Sequence, residues 1–86
     1  MTSKAAASFW RRYAELPEHI QHLAYKNYRL WLANPQHPTL RFKPVNYDQW
    51  SVRVGDHYRA VGYFRGGDTF VWTWIGTHEE IGRAHV

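Results

Sequence analysis

The sequence contains no cysteine and a single methionine. Without cysteine there is no disulfide and no thiolate metal site, so a disulfide-stapled scaffold and a cysteine zinc centre are both excluded. The absence fits a reducing compartment, and a cytoplasmic location is the expectation. No apolar run approaches the ~20 residues that a bilayer-spanning helix needs, so no membrane partner is expected. The opening stretch MTSKAAAS has no apolar core of the kind a signal peptide carries. Acidic residues are scarce: seven Asp and Glu stand against eleven Lys and Arg, for a formal net charge of +4. That balance points to an anionic partner such as nucleic acid or an acidic protein segment. No repeat, linker or low-complexity stretch interrupts the chain, and 86 residues read as one domain spanning 1–86.

What the sequence does have is aromatic side chains, 17% of the total and five of them Trp. A chain so rich in large apolar groups folds rather than staying disordered. Phe9, Trp10, Tyr13 and Leu16 recur at helical spacing. Pro17 ends that helix and suits the first turn of the next, with Glu18 favourable at its positive end. The second helix turns Ile20, Leu23, Ala24, Tyr28 and Trp31 to one side, and Asn34-Pro35 stops it. An antiparallel helix pair over residues ~7–33 is the expectation. NPQHPTL is a loop, because two prolines so close suit neither a helix interior nor a central strand.

Beyond the loop the period changes to two. Strands are expected near Leu40–Pro44, Trp50–Val54, Tyr58–Arg65 and Thr69–Thr77. With Gly67-Asp68 as a two-residue turn, Gly66 faces Thr69, Phe64 faces Val71, Gly62 faces Thr73 and Ala60 faces Ile75. Trp50, Val52 and Val54 then join an apolar face that receives the helices. The opposite face carries Arg53, Arg59, Tyr63, Trp72, Trp74, His57 and His78. The fold class is therefore α+β: an N-terminal helical hairpin packed on one face of a small antiparallel sheet of three or four strands.

The stretch WSVRVGDHYRAVGYF places Arg53 directly opposite Arg59. Like charges in that position are destabilising, unless each pairs with a carboxylate or a polyanion sits between them. Guanidinium groups suit bidentate phosphate contacts. Tyr63, Trp72 and Trp74 offer planes on which unpaired bases stack. Arg41 and Lys43 add charge. An imidazole such as that of His78 is suited to proton transfer. Arg53, Arg59 and His78 are the candidate catalytic residues, and Arg41, Lys43, Tyr63, Trp72 and Trp74 the candidate RNA-binding residues. His19 and His22 lie three apart on one helix, but no carboxylate or cysteine completes a metal set. No metal or cofactor is expected. There is no Ser-His-Asp pattern and no phosphate-cradling glycine loop.

The segments NPQHPTLRFKPV, WSVRVGDHYRAVGY and WIGTHEE together resemble the RelE/ParE toxin superfamily of bacterial type II toxin–antitoxin systems, over about Phe9 to Glu80. The resemblance implies a toxin with a cognate antitoxin as partner. For RelE-like members it implies an endoribonuclease that cleaves mRNA at the ribosome and so stops translation. The family's second-strand basic residue falls on Arg53, the arginine of its YR motif on Arg59, and the cationic position after the last strand near His78. The alternatives are a ParE-like DNA gyrase inhibitor without catalysis, or a basic protein-binding module. RelE itself begins with an extra strand; MTSKAAAS shows no strand pattern, so that edge is expected to be missing. The ending EIGRAHV matches one reading frame of a common sequencing adapter. Residues 81–86 are read as a non-native tail, standing where relatives carry a tyrosine that serves the site.

Overall fold

In a computed structural model of the chain, residues 2–79 are described. Strand β1 (Thr2–Ala5) leads into α1 (Ala7–Tyr13) and α2 (Glu18–Ala33). A short 3-10 turn at Pro38–Leu40 precedes β2 (Lys43–Pro44), β3 (Gln49–Val54), β4 (Tyr58–Arg65) and β5 (Thr69–Thr77). The strands form one sheet in the order β1-β5-β4-β3-β2. The α+β class stands, and the two long strands end where the alternating pattern placed them. The tail, residues 81–86, lies outside the described residues. Among the described residues no helix is long and apolar enough to cross a membrane.

The sheet has five strands rather than three or four, and it is mixed. The strand taken to be missing is present. Thr2–Ala5 pairs parallel with β5, Thr2 opposite Thr69 and Ala5 opposite Trp72. TSKA has almost no strand propensity of its own, so the unpaired edge of β5 supplies the reason for its conformation. Beyond Trp72 that edge passes to α1. Ala6 N–H donates to the carbonyl of Trp72, Ser8 Oγ to Thr73 and Arg12 Nε to Ile75. The edge carbonyls are thus satisfied by a strand, then by a helix's side chains.

The helices rest on the sheet more than on each other. α1 lies against β5 and α2 against β3. Their direct link is polar: Gln21 Nε2 donates to the Tyr13 carbonyl at 2.9 Å, and the Tyr13 hydroxyl to the Gln21 carbonyl at 3.2 Å. A cavity of about 250 Å³ separates them, lined by Phe9 and Tyr13, by Ala24 and Tyr28, and by Val52 and Ile75 of the sheet. Both helices lie on one sheet face, with this cavity between them, so hairpin packing of one helix directly on the other is not what holds the pair.

Val52, Val54 and Ala60 are buried beneath the helices, as the apolar alternation required. Trp31 of α2 is fully buried among Phe42, Phe70 and Trp72, at ring separations of 5.1–5.8 Å. Leu40, expected at the start of a strand, instead ends the 3-10 turn and is fully buried.

The β4–β5 register departs from expectation in an informative way. Ala60 faces Ile75, as expected. Phe64, however, faces Phe70, and Gly62 faces Trp72. The turn holds three residues, Gly66-Gly67-Asp68, between Arg65 and Thr69. Both glycines take left-handed φ, 68° and 80°, a region open to glycine at little cost. The offset is absorbed by a bulge: Val61 pairs with Trp74 and Gly62 with Trp72, leaving Thr73 between them. A bulge inverts the alternation on either side of it. Phe70, Trp72 and Ile75 consequently share the helix-covered face, and Trp74 turns to the other.

Candidate functional site

The face away from the helices is assembled row by row across the strands, since paired residues project to the same side. One row runs Arg53–Arg59–Gly76, the next Lys43–Ser51–Val61–Trp74, and the next Gln49–Tyr63–Val71–Lys4. Arg65 follows, opposite Thr69. Ser51, Val61 and Val71 are buried, forming a floor between longer side chains. The face is basic and aromatic, as the sequence suggested.

Arg53 and Arg59 stand directly opposite each other, and their surroundings differ. Arg53 Nη2 meets Asp56 Oδ1 at 2.7 Å, and its Nε donates to the Gly55 carbonyl at 2.9 Å. The turn that joins the two strands thus neutralises the first guanidinium. From behind, the buried Asn27 of α2 donates to the Arg53 carbonyl at 2.9 Å and holds β3 in place. Among the described residues Arg59 has no carboxylate. Its Nη1 is enclosed and without a partner there. Desolvation, then the charge of Arg53, then that of Arg41, press its pKa below the usual arginine value. A guanidinium nevertheless remains protonated at working pH.

His78 joins this pair. Its backbone N–H donates to the His57 carbonyl at 2.7 Å, extending the ladder past the end of β5. Its ring then lies beside Arg59, whose Nε–H points at Nδ1 over a long 3.4 Å. Arg53, Arg59 and His78 are thus brought together at one end of the sheet.

The expected RNA-binding residues divide. Tyr63 and Trp74 are half-buried and Lys43 is exposed, all three on the open face. Arg41 is exposed, close enough for its charge to reach Arg59. It adopts φ 47°, a left-handed conformation that costs a non-glycine residue roughly 1–2 kcal/mol. Trp72 does not belong to the open face. It is 6% exposed and packs on Trp31 and Phe70 in the core. The bulge at Thr73 is the reason.

Two contributors were missed. Asn27 sits among the apolar positions of α2, between Ala24 and Trp31, where a polar residue is itself a signal. Arg12 comes from α1, and its guanidinium lies over the Trp74 ring at 4.7 Å. No periodicity argument could place it on the far face of the sheet.

No known family's sequence profile matches the chain, and no curated protein matches it significantly. Solved structures do. The YoeB/ParE toxin from Agrobacterium tumefaciens superposes with a TM-score of 0.70 at 16% identity, over 91% of this chain and 99% of that one. YafQ from E. coli strain BL21(DE3) gives 0.74 at 9% identity, over 92% and 94%. The RelBE2 toxin–antitoxin complex from Mycobacterium tuberculosis contains a chain at 0.65 and 18% identity, over 90% of each. At such identities the likeness is one of fold: this chain has the fold that these solved structures share.

Proposed function

We propose that the chain is the toxin of a toxin–antitoxin system and an endoribonuclease that cleaves mRNA at the ribosome. The observation that carries this reading is Arg59: a half-buried cation on an open face, opposed by Arg53 and touched by His78. Leaving such a charge without a carboxylate is costly unless an anion completes it. Fold alone does not decide function, but one structural neighbour named above is a toxin and another a toxin–antitoxin complex, which agrees with this reading.

The chemistry follows from the groups present. RNA carries its own nucleophile, so the reaction requires no metal-bound water. The 2′ oxygen attacks the adjacent phosphorus, its proton leaves to a base, and the bond to the 5′ oxygen breaks as that oxygen takes a proton. The products are a 2′,3′-cyclic phosphate and a 5′-hydroxyl. Arg53 and Arg59 stabilise the negative charge that builds on the phosphoryl oxygens. With Nδ1 of His78 turned to Arg59, Nε2 is the ring atom left to face the strand. In its imidazolium form His78 gives the Nε2 proton to the leaving oxygen, and a water molecule takes the 2′ proton. Lys43, Arg41 and Tyr63 extend the surface along which the strand lies. A cognate antitoxin would cover the same face.

The test is to induce the chain in cells and follow mRNA integrity and DNA supercoiling together. Cleaved transcripts with normal supercoiling support the proposal. Intact mRNA with failing supercoiling replaces it with the gyrase-directed reading.

A further inference from the structure

The arginine pair lies at one extreme of the open face. Past it come the β3–β4 turn and His78, which is aligned with His57 beyond the end of β5. The other rows of the face all lie on the opposite side of the pair: Lys43 and Trp74, then Tyr63 and Lys4, then Arg65. At a rise of about 3.3 Å per residue, Tyr63 stands about 13 Å and Arg65 about 20 Å along β4 from Arg59. The two sides differ in charge. Acidic residues stand at both, Asp48 and Asp68 in the turns beside Gln49 and Thr69, Asp56 and Glu79 beside His57 and His78. Cations do not. Lys43, Lys4 and Arg65 are all on the first side, whereas segments 54–58 and 77–79 hold no Lys or Arg.

We infer that the RNA strand lies along β4 with a fixed polarity, its 5′ part over Tyr63 and Arg65 and its 3′ part leaving past His78. The inference rests on the cleavage reaction proposed above and adds the direction of the substrate. The warrant is stereochemical. The attacking 2′ oxygen and the departing 5′ oxygen stand at opposite ends of a line through phosphorus. His78 serves the departing oxygen, so the nucleotide that carries it lies on the His78 side of the phosphate. The nucleotide that carries the 2′ oxygen then lies on the other side, toward Tyr63. Charge agrees with this direction, because the backbone upstream of the cleaved bond meets Lys43, Lys4 and Arg65. Tyr63 is the base platform, since an aromatic plane stacks with any base. Trp74 shares the face, but the Arg12 guanidinium lies over its ring at 4.7 Å. Tyr63 stands half-buried in the path of the strand, midway between Val61 and Arg65 on β4. The grip is one-sided: the upstream product stays held, and the downstream product is free to leave once the bond breaks.

The experiment is NMR of the wild-type chain with a short 2′-O-methyl RNA, which cannot be cleaved, carrying a nitroxide at its 5′ end or at its 3′ end. The 5′ label should broaden the amide signals of Tyr63 and Arg65 and spare those of His57 and His78. The 3′ label should do the reverse. The opposite pattern, or two labels that broaden both ends of the face alike, overturns the inference. Tyr63→Ala gives a second reading by fluorescence anisotropy. It should weaken binding of this RNA several-fold, and trimming nucleotides from the 5′ end should erase the difference from wild type, while trimming the 3′ end should leave it. A difference erased from the 3′ end instead also overturns the inference. Should Tyr63→Ala fail to fold, the labels on the wild-type chain decide. Binding that is lost in Arg59→Gln yet shows the wrong polarity, or none, defeats this inference alone. A wild-type chain that binds no RNA defeats the reading beneath it as well.

Discussion

Arg59 stands directly across the β3–β4 ladder from Arg53, and Asp56 neutralises only Arg53. The asymmetry sets function against stability. Directly opposed like charges cost up to about 1 kcal/mol, and Arg59 bears that cost with its Nη1 enclosed. Arg59→Gln should therefore raise the stability of the free chain, by a few tenths to about 1 kcal/mol, while abolishing growth arrest. Added salt should stabilise the wild type more than the variant, because it screens the repulsion. Folding lowers the pKa of Arg59, so the unfolded chain holds this proton more tightly. The associated gain in stability with rising pH is confined to the alkaline range where arginine titrates. Near neutrality the variant's advantage should not change with pH. A variant less stable than wild type at every salt concentration would contradict this account.

Asp56 controls how much of the pair is on offer. It is 80% exposed, so its ion pair is worth little to the fold, about 0–1 kcal/mol. Asp56→Asn should leave the melting temperature within a few degrees and release Arg53 for phosphate. RNA binding should tighten and its salt dependence steepen. Unchanged affinity would mean that Arg53 remains occupied by the Gly55 carbonyl and contributes through geometry alone.

The bulge makes a separate prediction. At Gly62 a Cβ would meet the Val71 carbonyl oxygen at 2.4 Å and the Phe70 ring at 2.5 Å. Neither can swing aside, since one is backbone and the other a fully buried ring. Gly62→Ala should destabilise the chain by roughly 1–3 kcal/mol or more. Trp72→Ala should cost about 3–5 kcal/mol, as for other buried Trp. Chemical denaturation measures both. A Trp72→Ala chain of normal stability would return that residue to the open face and undo the β4–β5 register.

These residues mark how far the sequence could be read. Its period-two pattern placed Val52 inward and Arg53 outward, because alternation is intrinsic to a strand. It brought Arg53 to Arg59, because a short turn fixes local register. It failed at Trp72, where an unpaired Thr73 flips the alternation and leaves no mark in composition. It failed at Thr2–Ala5, where the strand conformation comes from the edge of β5 and not from TSKA. It failed at Arg12, because a side chain that passes around a sheet edge obeys no period at all. What was legible is local in the chain; what was not depends on partners distant along it.

The open face also predicts how an antitoxin would bind. The face carries Lys4, Lys43, Arg59 and Arg65 at register positions on one side. An acidic segment of the partner should cross it and reach Arg59. Arg59→Glu should slow association and weaken the complex, more so at low salt, where steering is strongest. Calorimetry with purified antitoxin measures the effect. An antitoxin that binds the Arg53→Glu/Arg59→Glu double variant with wild-type affinity would be docking on another surface.

The last prediction separates charge from proton transfer. Arg53 and Arg59 stay protonated and supply only charge. In the proposed reaction His78, beside Arg59, is the group that transfers a proton. Losing one charged transition-state contact costs roughly 10²–10³-fold. Losing a general acid or base costs about 10²–10⁴-fold. The two ranges overlap, so rate alone does not distinguish the residues, and binding and leaving-group dependence do. His78→Ala should bind 2′-O-methyl RNA nearly as well as wild type, while Arg59→Ala should not. A substrate whose scissile 5′ oxygen is replaced by sulfur needs little protonation to leave. On it, His78→Ala should recover most of its lost rate, and Arg59→Ala should recover none. If the sulfur substrate rescues neither variant, His78 acts through the position of Arg59 and is not the proton donor.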